Sequence, residues 1–233
     1  MTEVNQNRLG NLPGLVRLII AILVFGSIWG FLEATLGGFL HMIIFPNKGA
    51  IMSGIGIAVM ASALAIYRKP GMLPGIGIVA ASFKLLDVWL FSLPAGSIHI
   101  INPAMAIIFE SLAFGLVAAF IMNRMARNAF IGIGAGALIG LTSAIAWVYF
   151  AIYVMNAPAY ARVVFTAGEY ISNQGILQAV FAAIFLPLGY LAAEKLSRRT
   201  PAVLTRRPVY YAVSASAVIF CWGISALVIA AGL

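Results

Sequence analysis

Seven times along the sequence an apolar run recurs that is long enough to cross the ~30 Å hydrocarbon core of a bilayer. The runs lie at 18–44, 50–67, 71–93, 103–123, 130–155, 174–193 and 209–231. No other feature limits the fold as tightly. In hydrocarbon no water satisfies a backbone N–H or C=O, so such segments cross as α-helices or close into a barrel, and runs of this length are helical. The predicted fold class is therefore all-α, a polytopic transmembrane helical bundle. Composition agrees: 63% of the 233 residues are hydrophobic and 9% are charged, whereas soluble domains carry about a quarter charged residues. The first and fifth runs exceed one crossing and are expected to tilt or to end early.

Charge then orients the runs. Eleven of the fourteen Lys and Arg residues fall on one side if the runs alternate: Arg8, Arg17, Arg68, Lys69, Arg124, Arg127, Lys195, Arg198, Arg199, Arg206 and Arg207. By the positive-inside rule that side is cytoplasmic, which places the N-terminus inside and the C-terminus outside, in a prokaryotic inner membrane. Lys48 and Arg162 fall outside and Lys84 within a run. The net charge of +8 does not form one patch interleaved with aromatics, so no nucleic-acid partner is expected. The single Cys221 excludes an intrachain disulfide and a cysteine-built metal centre, and reads as a small apolar filler.

The inner connections are short and basic, at 67–70 (Y-R-K-P), 123–127 (N-R-M-A-R) and 194–199 (E-K-L-S-R-R), so runs one to six form three outward hairpins. The expected organisation is a polar tail over 1–17, a six-helix core over 18–199, and a basic linker with a seventh helix over 200–233. The outer connections, at 45–49, 94–102 and 156–173, include one long enough to be a candidate lid, carrying Tyr160, Arg162, Glu169 and Tyr170.

Within the first run stands Glu33. A charge near mid-bilayer costs at least ~2.5 kcal/mol, which makes an intramembrane carboxylate a functional-site hypothesis by default. Trp29, Glu33, Gly37 and His41 recur every fourth residue along one stripe, and Gly26, Gly30, Ala34 and Gly38 form a second stripe suited to close helix packing. Asp87 and Glu110 are the other acids inside runs, and Lys84 lies three residues before Asp87, placed to pair with it. Counted from the outer ends of their runs, the three acids share one level, about 10 Å in. Three carboxylates against one ammonium leave negative charge to be neutralised, so the site is expected to take positive charge. Trp29, one turn from Glu33, is placed to stack on a cation held there.

Other polar residues cluster toward the outer ends. His41, His99 and Asn102 are candidate contacts, with Trp89 and Trp147 at a similar level; Asn102, before Pro103, also reads as a helix cap. Gln174 and Gln178 share a face of the sixth helix and either complete a polar pocket or bond neighbouring helices. Gly132, Gly136 and Gly140, followed by Ala144, form a second packing ridge. The G-I-G-A-G stretch at 132–136 has no preceding strand and no following Lys-Ser or Lys-Thr, so it is not a nucleotide loop. No catalytic motif stands out, so the chain is read as a non-enzyme needing no cofactor.

In organisation the chain resembles the substrate-binding S components of energy-coupling-factor (ECF) importers. The resemblance covers 18 to about 199: six spans, an inside N-terminus, an outward polar cluster and small-residue ridges, with Gly26, Gly30, Ala34 and Gly38 where the family often has Ala-x-x-x-Ala. The seventh helix and the lack of a histidine-rich start depart from it. The resemblance implies solute binding by this chain, docking on a transmembrane coupling subunit, and ATP hydrolysis by partner subunits. The expected function is the binding and permeation component of an uptake system for a cationic small molecule or a metal ion. One alternative is a proton- or cation-coupled carrier using Glu33, Lys84, Asp87 and Glu110 as a relay, although no acid but Glu194 lies in an inner half. Another is the membrane anchor of a redox complex, with His41 and His99 as haem ligands and the acids guiding quinone protons.

Overall fold

A computed structural model describes residues 14–125, 128–155, 166–199 and 206–232. Arg8, Arg127, Tyr160 and Arg162, and most of the candidate lid, lie outside the described residues. The elements run α1 (Gly14–Met42), α2 (Lys48–Tyr67), a 3-10 turn (Pro70–Met72), α3 (Leu73–Ser82), α4 (Leu85–Phe91), α5 (Ile98–Met125), α6 (Ala129–Tyr153), the short α7 (Ala167–Tyr170), a π-turn (Ile171–Gly175), α8 (Ile176–Arg198) and α9 (Arg207–Ala230). No strand occurs among the described residues. Seven stretches are long and apolar enough to cross a membrane, the third comprising α3 and α4 and the sixth α7 with α8. The chain is an all-α integral membrane protein.

Sequence chemistry sets several of the ends. Asn128 caps α6 by accepting from Phe130 N–H at 2.8 Å, and Thr166 caps α7 by accepting from Glu169 N–H at 3.1 Å. Pro70, Pro74 and Pro208 stand in first turns, where the missing N–H has no intrahelical partner to lose. Elsewhere the sequence reading needs correction. Helix α5 begins at Ile98 and continues through Pro103, so Asn102 is inside the helix rather than its cap. The third span is interrupted at Phe83 and Lys84, where backbone bonds run from Phe83 N–H to Ala80 O (3.2 Å) and from Lys84 N–H to Ala81 O (3.1 Å), the tighter i to i−3 pattern.

The three expected hairpins form, pairing α1 with α2, α3 with α5, and α6 with α8. They close into a ring because α5 also packs on α6, α1 on α3, and α2 on α8, the most extensive helix contact in the molecule. Helix α9 packs outside the ring, on α1 and α4. Trp222 of α9 donates to Ser27 Oγ at 3.2 Å and sets its ring 4.1 Å from that of Phe83, so α9 covers the break between α3 and α4.

Small residues hold the ring together. A Cβ at Gly136 would enter the backbone of Ala182, one at Gly140 the backbone of Gln178 and Ala179, and one at Gly189 the backbone of Ala58. Ser62 reinforces the last contact by donating to Gly189 O at 3.0 Å. Lipid tails are as apolar as leucine, so such close van der Waals contact replaces the hydrophobic drive of water-soluble cores. The ridge on α1 is filled from within the chain: Gly26 abuts Val79 and Gly30 abuts the ring of Phe83, so these positions are not available to a partner subunit. Gly132 is the exception on α6, with only Leu186 and Pro187 side chains at 3.8 and 3.9 Å. Trp29, Leu64, Leu73, Ile76, Phe114 and Leu186 fill the interior.

Candidate ligand-binding cavity

The ring is filled at one end and open at the other. At the end carrying Arg17, Arg68, Lys69, Arg124 and Arg198, aromatic and basic side chains knit the helices: Arg68 donates to the Tyr190 hydroxyl, Arg17 lies 5.2 Å over the Tyr67 ring, and the Tyr67 and Tyr210 hydroxyls stand 3.4 Å apart. At the opposite end the helices enclose a cavity of about 970 Å³. Its walls gather Glu33, Lys84, Asp87, Glu110, His41, Asn102, Gln174 and Gln178 from five helical stretches, together with Ala34 and Gly38 of the first ridge.

The three carboxylates do not share a level. Counted from the cavity end of each helix at 1.5 Å per residue, Asp87 lies about 6 Å in, Glu33 about 13 Å and Glu110 about 18 Å. The reason is local: α5 starts five residues earlier than the sequence suggests, which sinks Glu110, and α4 is a short helix that ends one turn after Asp87. The acids thus descend the cavity wall in steps.

Glu110 is 6% exposed and sits at the floor. Gln178 Nε2 donates to Glu110 Oε1 at 3.0 Å and to Ser143 Oγ at 3.1 Å, and Ser143 in turn donates to Gly140 O at 3.0 Å. Ser53 Oγ, also buried, lies beside the Glu110 carboxyl without reaching hydrogen-bond geometry. Glu33 is within the electrostatic reach of Glu110, and its carboxylate lies over Gly37, where a Cβ would stand 3.5 Å from Oε2. A pair of acids in mutual reach, in a site of reduced dielectric, is relieved by a cation between them.

Lys84 and Asp87 do not form the expected ion pair. Lys84 instead lines the cavity near both Glu33 and Asp87, acting on each electrostatically without a hydrogen bond to either. A second ammonium, Lys48, stands at the mouth and donates to His41 Nδ1. The wall therefore carries three carboxylates against two ammonium groups, rather than three against one.

Side chains from different elements also meet across the mouth. Gln174, carried by the π-turn, donates from Nε2 to Asn47 Oδ1 at 3.3 Å. Asn47 and Ile44 hold left-handed backbone at φ 57° and 52°, in the link between α1 and α2. Asn tolerates that region, whereas a β-branched residue there is strained. The Asn102 amide faces the cavity with no side-chain hydrogen bond to another described residue.

Two expected contacts are placed elsewhere. Trp29 does not line the cavity: it is fully buried against Gly56 of α2, which has no Cβ to keep the indole out, so its faces are not available to a cation. Its indole N–H lies near Glu33 but makes no hydrogen bond of normal geometry. Trp89 is 84% exposed on the outside of α4. The side chain of His99 lies outside the described residues. Conversely, Ser53, Ser143 and Lys48 escaped the sequence reading as site residues, and a ring pair was named there only by level, for Trp147, and as part of the candidate lid, for Tyr170. In that pair Trp147 and Tyr170 lie 4.8 Å apart at 38° and both face the cavity. A signal existed for two of them: Ser143 and Trp147 continue the ridge of Gly136 and Gly140 by successive turns. Ile229 and Gly232 bring the end of α9 to the cavity edge.

Among the described residues, no three His, Cys, Asp or Glu side chains converge closely enough to hold a metal ion. Fold and site together define a helical membrane protein with seven candidate spans among the described residues and a polar cavity at one end. No known protein family, curated protein or solved structure matches the chain.

Proposed function

We propose that this chain is the substrate-binding and permeation component of a small-solute uptake system, holding a cationic organic molecule in the cavity. The observation that carries the reading is the descent of Asp87, Glu33 and Glu110, from three different spans, into one enclosed space. Carboxylates distributed along a wall suit an extended organic cation, whereas a bare metal ion would want them gathered around one point. The aromatic pair Trp147 and Tyr170 and the amides of Asn102, Gln174 and Gln178 add apolar faces and donors that fix orientation, as small-molecule sites do.

In this reading the arginine-rich end faces the cytoplasm of a prokaryotic cell and the cavity opens outward, because Lys and Arg concentrate on the cytoplasmic side of inner-membrane proteins. The end opposite the cavity is closed by packed side chains, so release inward requires a rearrangement. Coupling and ATPase subunits of the energy-coupling-factor kind would provide it, and no catalytic step belongs to this chain.

Native mass spectrometry of the protein gently extracted from its membrane tests the proposal. Wild type is expected to retain a small basic molecule that Glu33→Gln loses. Retention of the same mass by Glu33→Gln, or retention of haem in its place, contradicts it.

A further inference from the structure

The cavity is not uniformly acidic, and its one unpaired ammonium narrows the ligand. Of the two ammonium groups on the wall, Lys48 is hydrogen-bonded to His41. Lys84 makes neither an ion pair nor a hydrogen bond among the described residues, although Asp87 is three residues away and Glu33 is within electrostatic reach. Lys84 follows the 3-10 turn that interrupts the third span, where Trp222 of α9 packs on Phe83 from outside.

An ammonium inside a membrane span is costly unless opposite charge meets it, and Glu33 and Asp87 act on Lys84 only from beyond ion-pair contact. Counted from the cavity end, Lys84 lies about 10 Å in, above Glu33 and Glu110 and below the mouth. Toward the floor stand the two acids, with the Ser53 hydroxyl making no hydrogen bond of normal geometry; nearer the mouth the Asn102 amide faces the same space, at a level where Asp87 also lines the wall. A molecule carrying positive charge alone would gain the floor and be repelled by Lys84. A molecule carrying an anionic group a few bonds from its cationic group would satisfy both.

We infer that the ligand is a zwitterion, whose cationic group lies toward Glu33 and Glu110 and whose carboxylate, or equivalent anion, is received by Lys84 and Asn102. This rests on the cation-binding reading above and adds the anionic half. Lys84 is then the residue that sets specificity between an amino-acid-like solute and the corresponding plain amine.

Matched pairs that differ by the carboxylate test it: L-arginine with agmatine, L-lysine with cadaverine, L-histidine with histamine, and glycine betaine with choline. Binding of each is measured on the purified full chain by calorimetry, in wild type, Lys84→Met, Lys84→Arg and Glu33→Gln. Wild type is expected to prefer at least one zwitterion over its partner by about tenfold or more, the size of one hydrogen bond between charged groups. Lys84→Met should lose that preference while still binding the amine, Lys84→Arg should keep it, and Glu33→Gln should weaken both members. Because the preference is a ratio within each variant, a general loss of stability does not imitate it. If the amines bind as well as the zwitterions in wild type and Lys84→Met leaves every ratio unchanged, the zwitterion is overturned and the cation site stands. If no member of any pair binds, or Glu33→Gln binds all as wild type does, both are overturned.

Discussion

The two halves of the helix ring are made from the same six spans and differ in what the spans offer each other. Toward the arginine-rich end, Gly189 meets the Ala58 backbone, Gly136 meets Ala182, and Leu64, Leu73, Phe114 and Leu186 fill the centre with at most 1% exposure. Toward the other end the facing positions are Glu33, Ser53, Asn102, Glu110, Ser143 and Gln178, and the centre stays open over about 970 Å³. Small residues let backbones approach until dispersion holds them, and polar residues keep a volume that water or a ligand can fill. The backbone departs from regular α-helix in the same pattern: the 3-10 break beside Lys84 and the π-turn carrying Gln174 both border the open half.

That contrast can be broken from either side. Gly189→Leu drives a side chain into the Ala58 backbone and is expected to cost at least about 3 kcal/mol, the upper end for overpacking. Size-exclusion chromatography should show loss of the folded monodisperse species, and a well-behaved Gly189→Leu protein would mean that the α2–α8 contact is looser than described. In the open half, Gln178→Leu removes the amide that bonds Glu110 and Ser143, at an expected cost of about 1–3 kcal/mol seen as a lower thermal midpoint. Glu33→Gln, by contrast, should leave the midpoint unchanged or raised, since it removes one of two acids in mutual reach. Outside the ring, Trp222→Phe loses the bond to Ser27 and should cost about 1 kcal/mol; no change would show that α9 is held by ring contacts alone. Smallest is Arg198→Ala, which deletes the exposed 2.8 Å pair with Glu194 and should fall within about 0.5 kcal/mol in the same unfolding experiment.

Most of the packed half was legible in the sequence because its signals are periodic. The seven runs, the three hairpins and the Gly136–Gly140 ridge follow from hydropathy and four-residue spacing, and the observed helices differ mainly at their ends. The open half was legible in composition but not in geometry. Glu33, Asp87 and Glu110 were found as charges in apolar runs, yet their depths depend on where α5 begins and where α3 breaks, and neither carries a strong local signal: Pro103 points to a later start for α5. The failed pairing of Lys84 with Asp87 was not legible either, since a three-residue spacing permits a pair but does not enforce one where both side chains line an open cavity. Trp29 was misplaced because its proximity to Glu33 along α1 says nothing about Gly56 on α2, the cleft that buries it. Ser53 carries no charge and sits in an ordinary apolar run, so only the ring could reveal it.

The most direct test of an open, acid-lined cavity is the labelling rate of a single cysteine at Gly37, which lines the cavity beside the Glu33 carboxylate, in a Cys221→Ala background. The reagents are two methanethiosulfonates of opposite charge, applied to the protein in sealed vesicles. The account predicts reaction from the cavity side only, faster with the cationic reagent than with the anionic one. No reaction from that side, or a faster anionic reagent, would contradict it.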